Sequence, residues 1–381
     1  MTRQRKTKKD DKKQIAPTEE GMSEVDAKLA QISSARGEGK IIKGNEQPNS
    51  MYIPLGPFIL DLALLGGLHD GRGTMIFGVE GSGKSTLGYM AMASCQRKYA
   101  GSRVVIVDNE HMFDPVWFTA CGGDPERVIL IQPEFGEEGI DMACDLIDAV
   151  EVSGLLFDSI ATIIPKKLDE RSVEDYGTGE RARLAGLLCQ KILSSWSRER
   201  KRGHRVTVVF INQYRDAIGK MMGDPRKLPG GWQVNYFPKT RFQMKCNKVM
   251  GESSDGSIIP SHNLHTFTLT KDKGASIQTG EFRINLHPEH PRGLPVGAID
   301  DVATVGVYAK RLGLVTGGGQ SWRLEGTDTK FRKLIEIEDH LFINPDALLS
   351  LKQSIIVDMR TRLGLPALPP DGYLLDWCSV D

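Results

Sequence analysis

Phe77–Leu87 reads FGVEGSGKSTL, which fits G-x-x-x-x-G-K-S with Gly78, Gly83, Lys84 and Ser85 at the fixed places. The run before it, Thr74–Phe77 (TMIF), is apolar enough to be a buried strand. The run after it, Thr86–Tyr99 (TLGYMAMASCQRKY), reads as a helix. A strand, a Gly-rich turn and a helix start are the context in which this pattern holds phosphate rather than merely turns. Gly78, Gly81 and Gly83 let the backbone curl, so that the N–H groups of the loop can face one point. The helix N-terminus adds partial positive charge there. The candidate phosphate cradle is Gly78, Glu80, Gly81, Ser82, Gly83, Lys84, Ser85 and Thr86. Lys84 supplies a full charge for the β- and γ-phosphates of a nucleoside triphosphate, and the Ser85 hydroxyl is placed to ligate Mg²⁺.

Outward from this loop the pattern repeats. Arg103–Asn109 (RVVIVDN), Arg127–Gln132 (RVILIQ), Gly154–Ser159 (GLLFDS) and Arg205–Gln213 (RVTVVFINQ) are apolar runs of buried parallel-strand type. Helical stretches, including Gly139–Val150 and Arg181–Arg200, lie between them. This alternation predicts an α/β fold with a mostly parallel sheet flanked by helices, and ligands at the carboxyl ends of its strands. Asp158 ends one strand, where an acid suits Mg²⁺ opposite Ser85; a helix N-cap is the alternative. Glu110 follows another strand, where a carboxylate can polarise an attacking water. Asp108 competes for that role. His111 is adjacent and reads as a packing or orienting residue. Gln213 ends a third strand. Its amide cannot act as a base, but it can hydrogen-bond a γ-phosphate and move when that phosphate leaves.

Composition bounds the remainder. The chain has 381 residues, and 49 Lys and Arg balance 49 Asp and Glu, so overall charge names no polyanionic partner. Met1–Met22 is a polar basic arm with the composition of a disordered tail. Ser23–Ser34 (SEVDAKLAQISS) has Val25, Leu29 and Ile32 at helical spacing, but it is too short and too thinly apolar to stand alone, so it needs a covering partner. Six scattered cysteines without a C-x-x-C pair predict reduced thiols in the cytoplasm. No apolar run reaches membrane-span length. Beyond Pro238 the segments Arg241–Lys248, His265–Lys271 and Gly280–Leu286 alternate like antiparallel strands and extend the same sheet. A smaller unit, 298–381, adds a helix (Ile299–Leu312), a Gly-rich hairpin (Val315–Leu324) and a helix (Asn344–Leu363). The organisation expected is therefore 1–22, 23–50, a core at 51–297, and 298–381.

Two long polar segments interrupt the core. Pro165–Arg183 follows Asp158. Tyr214–Arg241 follows Gln213 and mixes six bases with Met221, Met222, Trp232, Tyr236 and Phe237. Such interleaving suits a single-stranded backbone and its bases, and equally an ordinary surface loop. Lys271 and Lys273 share one side of a strand end, which by itself reads as solvated.

In order and spacing, GVEGSGKST, DNEHMFDP, LLFDS, VFINQ and the loop ending at Pro229-Gly230-Gly231 resemble the bacterial RecA recombinases. The likeness runs from near Ser23 to about Gly326. It implies an ATPase that forms a helical filament on single-stranded DNA, using ATP and Mg²⁺, and exchanges strands with double-stranded DNA. It implies that Glu110 activates water and that Gln213 couples the γ-phosphate to the following loop. Asp114 and Trp117 fall where the family contacts adenine, and Trp117 stands for the usual Tyr. The two long segments are similar to the family's DNA-binding loops. Arg183, Arg215, Lys220, Met221, Met222, Arg226, Lys227, Gly230, Gly231 and Trp232 are the DNA candidates. Lys271 and Lys273 match a pair that reaches the neighbouring subunit's ATP. Ser23–Ile42 resembles the segment that docks on the next subunit, and Tyr236 sits where the family has an interface Phe.

The departures are specific. Trp232 replaces a small polar residue, the first loop differs at most positions, the long acidic tail is missing, and the first dozen residues are basic. They mark a divergent member and leave a phage origin open. A ring-forming helicase-type motor on the same core, and a mediator that binds without strand exchange, are the alternatives. Intact Lys84, Ser85, Glu110, Asp158 and Gln213 speak against the mediator, and the docking segment and lysine pair against the motor.

Overall fold

The computed structural model describes residues 24–36, 51–169, 179–199, 206–216, 226–272, 277–290, 292–327 and 329–367. The chain divides into two units, 1–48 and 49–381. Within the first, the described part is helix α1 (Glu24–Arg36), on which Val25 is 66% exposed and Ile32 41%. The basic arm and the short strand expected near Ile41 lie outside the described residues.

The second unit is built on an eight-stranded sheet. In chain order its strands are β1 (Gly73–Gly78), β2 (Arg103–Asp108), β3 (Val128–Ile131), β4 (Val152–Asp158), β5 (Thr207–Gln213), β6 (Thr240–Glu252), β7 (Ile258–Lys271) and β8 (Thr279–Asn285). In space they run β8-β7-β6-β1-β5-β4-β2-β3. From β6 to β3 every neighbouring pair is parallel, and β7 and β8 are added antiparallel. The three alternating segments beyond Pro238 do extend the sheet, as their period-two pattern predicts.

Alternate side chains of the parallel strands enter different cores, because successive residues of a strand point to opposite faces. Val104, Ile106, Leu156, Val209 and Ile211 pack with Leu87 and Met90 of helix α3 (Lys84–Lys98), on one face. Val105, Val107, Leu155, Phe157, Val208 and Phe210 pack on the other face with α5 (Gly136–Ile147) and α6 (Glu180–Glu199). Both faces of the strands are thus covered, which is why their sequences read as unbroken apolar runs. Between α3 and α5 the short helix α4 (Pro115–Ala120) packs Phe118 into the first core.

A third core joins α2 (Phe58–Ala63) to the C-terminal elements. These are α8 (Val302–Leu312), a three-stranded antiparallel sheet that includes the hairpin Val315–Gly318/Ser321–Leu324, α9 (Leu334–Ile343) and α10 (Pro345–Arg362). Polar bonds secure the junction. Asp301 accepts from the Phe58 backbone N–H at 2.8 Å and from Lys352 Nζ at 3.0 Å, and Arg360 donates to the Leu65 carbonyl at 2.7 Å. Helix α9 was not expected from the sequence. The hairpin and the flanking helices were.

The segment after Gln213 leaves the sheet at the carboxyl end of β5. It pairs Arg215–Asp216 with Arg226–Lys227, turns at Gly230 into α7 (Gly231–Tyr236), and returns through β6. Among the described residues no helix is long and apolar enough to cross a membrane, and the five described cysteines are free thiols.

Candidate nucleotide and nucleic-acid site

The phosphate loop joins the carboxyl end of β1 to the N-terminus of α3. Gly81 and Gly83 adopt φ of 69° and 85°, a region costly for residues with a Cβ. A Cβ on Gly78 would lie 2.4 Å from the Met244 carbonyl oxygen, so β6 backs the loop too closely for any side chain. The Ser82 hydroxyl donates to the Val79 carbonyl at 2.7 Å and closes the curl. Lys84 is 5% exposed, and its Nζ donates to the Val79 carbonyl at 2.6 Å. Burial pulls its pKa below the ordinary lysine range, while Asp158, Glu110 and Glu80 oppose that shift. The ammonium is folded over its own loop, with three carboxylates holding it charged.

Those carboxylates differ in what they do. Asp158, at the end of β4, is 7% exposed, and burial raises its pKa to about 6, with Glu110 and Asp108 adding to the rise. The Ser85 hydroxyl donates to it and, with Lys84, works against the shift. A desolvated carboxylate beside a hydroxyl fits Mg²⁺, which takes one or two protein oxygens and completes its shell with phosphate and water. Among the described residues no group of three or more His, Cys, Asp or Glu could hold a metal ion.

Glu110 is half-buried. Its Oε1 accepts from the Ser159 hydroxyl at 2.6 Å and from Gln213 Nε2 at 2.7 Å. Asp108 is 3% exposed and accepts from the backbone N–H groups of Glu110, Met112 and Phe113 and from Gln132 Nε2, at 3.0–3.3 Å. Both of its oxygens are therefore engaged in shaping the turn that carries Glu110. His111 is exposed, with φ of 54°, and packs nothing away.

A recess of about 250 Å³ opens beside the loop, lined by Gly81, Gly83, Lys84, Ser85, Thr86, Trp117, Asn263, His265 and Ile284. Trp117 forms one wall, and its Nε1 donates to Thr86 Oγ1 at 3.1 Å. Asp114 caps α4, accepting from the N–H groups of Val116 and Trp117 at 2.8 and 3.2 Å. It therefore fixes the start of the short helix that carries Trp117. His265 closes the inner side. It is 2% exposed, its ring stacks on Phe282 with centroids 5.2 Å apart, and its Nδ1 lies 3.2 Å from the Ser82 carbonyl oxygen.

The candidate DNA residues fall into three groups. Lys220, Met221 and Met222 lie outside the described residues, as do 170–178 of the first loop. Arg183, in the first turn of α6, and Lys227 are exposed, and Arg226 lies in the strand pair with Arg215–Asp216. Arg215 donates to the Ala161 carbonyl at 3.0 Å, which ties this strand pair to the turn after Asp158. Gly230 and Gly231, at φ of 98° and 72°, set the start of α7, and a Cβ on Gly231 would meet Ala182 of α6 at 3.2 Å. Trp232 is 76% exposed and Tyr236 66%; their rings stack 5.7 Å apart and within 9° of parallel.

Lys271, at the end of β7, donates to the carbonyls of Tyr236 and Pro238 at 2.5 Å each. Its charge thereby caps the C-terminal end of α7 within the same chain. Lys273 lies outside the described residues.

Three residues of this site were not anticipated. Ser159 and Asn212 are small polar residues at the carboxyl ends of β4 and β5, where residue type alone does not set them apart from their neighbours. Asn212 Nδ2 donates to the Pro229 carbonyl at 3.0 Å, bridging the strand of Gln213 to the far end of the following loop. His265 shares the inward phase of Phe267 and Leu269 in NLHTFTL, and a polar ring at a core position was the available signal.

Comparison with known proteins agrees with this geometry. Residues 23–280 match the family model for the RecA N-terminal domain. A protein RecA of Streptomyces avermitilis is 34% identical over 234 residues, 61% of this chain and 60% of that protein. A protein RecA of Aquifex pyrophilus is 28% identical over 339 residues, 88% of this chain and 92% of that protein. A protein RecA of Oceanobacillus iheyensis is 34% identical over 234 residues, 61% of this chain and 65% of that protein. The Streptomyces and Oceanobacillus matches thus span less than two thirds of those relatives.

Proposed function

The chain belongs to the RecA family, and from that premise we propose that it is an ATP-dependent DNA recombinase whose nucleotide site and DNA loop are mechanically joined. The observation that carries the reading is the chain of contacts Ser159–Glu110–Gln213, continued by Asn212 to Pro229. It links a candidate water-activating carboxylate to the end of the segment richest in basic and aromatic residues.

In this reading Lys84 and the loop N–H groups bind the phosphates of ATP, and Trp117 with Ile284 flanks the base. Ser85 and Asp158 would hold Mg²⁺, which supplies charge neutralisation on the phosphate oxygens when bound. Glu110 takes a proton from the attacking water. Gln213, bonded to Glu110 in this structure, can instead donate to a γ-phosphate oxygen. That exchange alters the position of β5 and so of the loop beyond it. Basic residues of the two loops (Arg183, Arg215, Lys220, Arg226 and Lys227) meet phosphates of single-stranded DNA, and Trp232 offers a face to a base. Double-stranded DNA is the pairing partner, and copies of the chain assemble into a filament, with α1 covered by the next copy.

The test is strand exchange and DNA-stimulated ATP hydrolysis by the purified chain, with electron microscopy of the complexes. Helical filaments with pairing activity support the reading. Closed rings that unwind duplexes would make it a motor, and DNA binding without hydrolysis or pairing would make it a mediator.

A further inference from the structure

We propose that His265 is a positioning residue for the phosphate loop, acting through a hydrogen bond from Nδ1–H to the Ser82 carbonyl. The inference rests on the reading of the loop as a nucleotide site and adds a residue, and a single nitrogen of it, to that site.

Three contacts converge on the ring. Nδ1 lies 3.2 Å from the Ser82 carbonyl oxygen, and a carbonyl can only accept, so Nδ1 carries the proton. The ring also abuts Gly83, where a Cβ would lie 2.4 Å from His265 Cε1. Gly83 is the left-handed residue that turns the loop into α3. On its other face the ring stacks on Phe282 at 19° to parallel, and β7 pairs His265 with Cys246 of β6 and with Phe282 of β8. The imidazole is thus a rigid wedge between the antiparallel strands and the corner at which the loop N–H groups must converge.

The remaining nitrogen identifies this as more than core packing. Nε2 is buried and, among the described residues, has no hydrogen-bond partner, although His265 lines the recess beside the loop. With the proton on Nδ1, a neutral ring presents Nε2 as an acceptor, and burial favours the neutral ring by lowering its pKa. Leaving a buried acceptor unpartnered is unfavourable. A plain core position would be better filled by a leucine or phenylalanine. A ring that tolerates this at Nε2 in order to donate at Nδ1 is selected for the donor.

Substitution at His265 probes the two nitrogens separately. Asparagine places its amide N–H near Nδ1, glutamine places its own near Nε2, and phenylalanine keeps the bulk with neither. The measurement is calorimetric binding of Mg·ADP, without DNA, to wild type and to His265→Asn, His265→Gln and His265→Phe. The expected result is near wild-type affinity for asparagine and about five-fold weaker binding for glutamine and phenylalanine, the size of one neutral hydrogen bond. Equal binding by all four overturns the proposal while leaving the nucleotide site standing; rescue by glutamine rather than asparagine overturns it as well. Wild type that binds no nucleotide overturns both. If the variants do not fold, ¹⁵N NMR of the wild-type imidazole decides. An Nδ1–H tautomer whose signal moves on adding Mg·ADP is expected, and an Nε2–H tautomer or an unmoved signal refutes the assignment.

Discussion

Gln213 Nε2 donates to Glu110 Oε1 at 2.7 Å, so the amide that ends β5 and the carboxylate that follows β2 share a bond across the mouth of the site. The Ser159 hydroxyl holds the same oxygen at 2.6 Å. Glu110 is therefore oriented by two donors before any nucleotide arrives.

Replacing Glu110 by glutamine keeps the size and removes the base. ATP hydrolysis should fall by about 10²–10⁴-fold while nucleotide affinity changes little. Phosphate release and equilibrium binding measured on the same preparation decide the point; hydrolysis within a few-fold of wild type would place the base elsewhere.

Gln213→Ala should separate the two halves of the function. Basal hydrolysis is expected to survive in part, because Ser159 still orients Glu110, whereas stimulation by single-stranded DNA is expected to vanish. A variant that DNA stimulates as fully as wild type refutes the coupling role.

Asp158 predicts a pH dependence of stability. Its folded-state pKa, about 6, lies above its ordinary value of 3.8. Between these values the folded state holds the extra proton, so this group makes the nucleotide-free protein less stable as pH rises from about 4 to 6. The full difference corresponds to about 3 kcal/mol. Asp61, buried and raised to about 7 despite accepting from the Leu55 and Gly56 N–H groups, acts with the same sign. Asp158→Asn should therefore raise the melting temperature at pH 7 without Mg²⁺, and should remove the further stabilisation that Mg·ADP gives wild type. Melting curves with and without Mg·ADP test both parts. A lowered melting temperature would contradict the first.

The Trp232–Tyr236 stack should contribute to DNA affinity. Stacking on a base is worth about 1–3 kcal/mol, so Trp232→Ala should weaken oligo-dT binding by roughly five- to 150-fold. Fluorescence anisotropy at fixed salt gives the number. The salt dependence should stay the same, since no phosphate contact is lost; an unchanged affinity would rule out the platform.

Lys271 offers a test of assembly. If its ammonium serves a neighbour's nucleotide, Lys271→Ala and Glu110→Gln proteins should each be weak alone but regain activity when mixed, because some interfaces then pair an intact glutamate with an intact lysine. Activity of the mixture equal to the mean of the two would mean that Lys271 acts only on the carbonyls of Tyr236 and Pro238.

Much of this was legible in the chain because the physics is local. FGVEGSGKSTL needs its glycines at fixed spacing, and the buried strands need apolar residues on both faces, so loop and sheet could be read directly. The competition between Asp108 and Glu110 could not. Both are acids at one strand end, and only the folded turn shows Asp108 saturated by three backbone N–H groups. Likewise Lys271 reads as a solvated strand end until β7 brings it to α7, and His265 reads as part of an alternating strand until the sheet sets it against Gly83. Contacts between residues from about thirty to nearly two hundred positions apart leave no local pattern. Trp232 was visible as an oddity, but its stacking partner was assigned to a different surface.

The segment 214–239 departs from β5 and returns as β6, and these two strands flank β1, which carries the phosphate loop. Its ends are fixed by Asn212 and by the start of β6, and its described residues between those ends lie outside the eight-stranded sheet. Its composition can therefore drift, lengthen or be exchanged between relatives as a cassette while the hydrolytic machinery stays intact. In such an architecture, taste for a nucleic acid can evolve separately from the engine that acts on it.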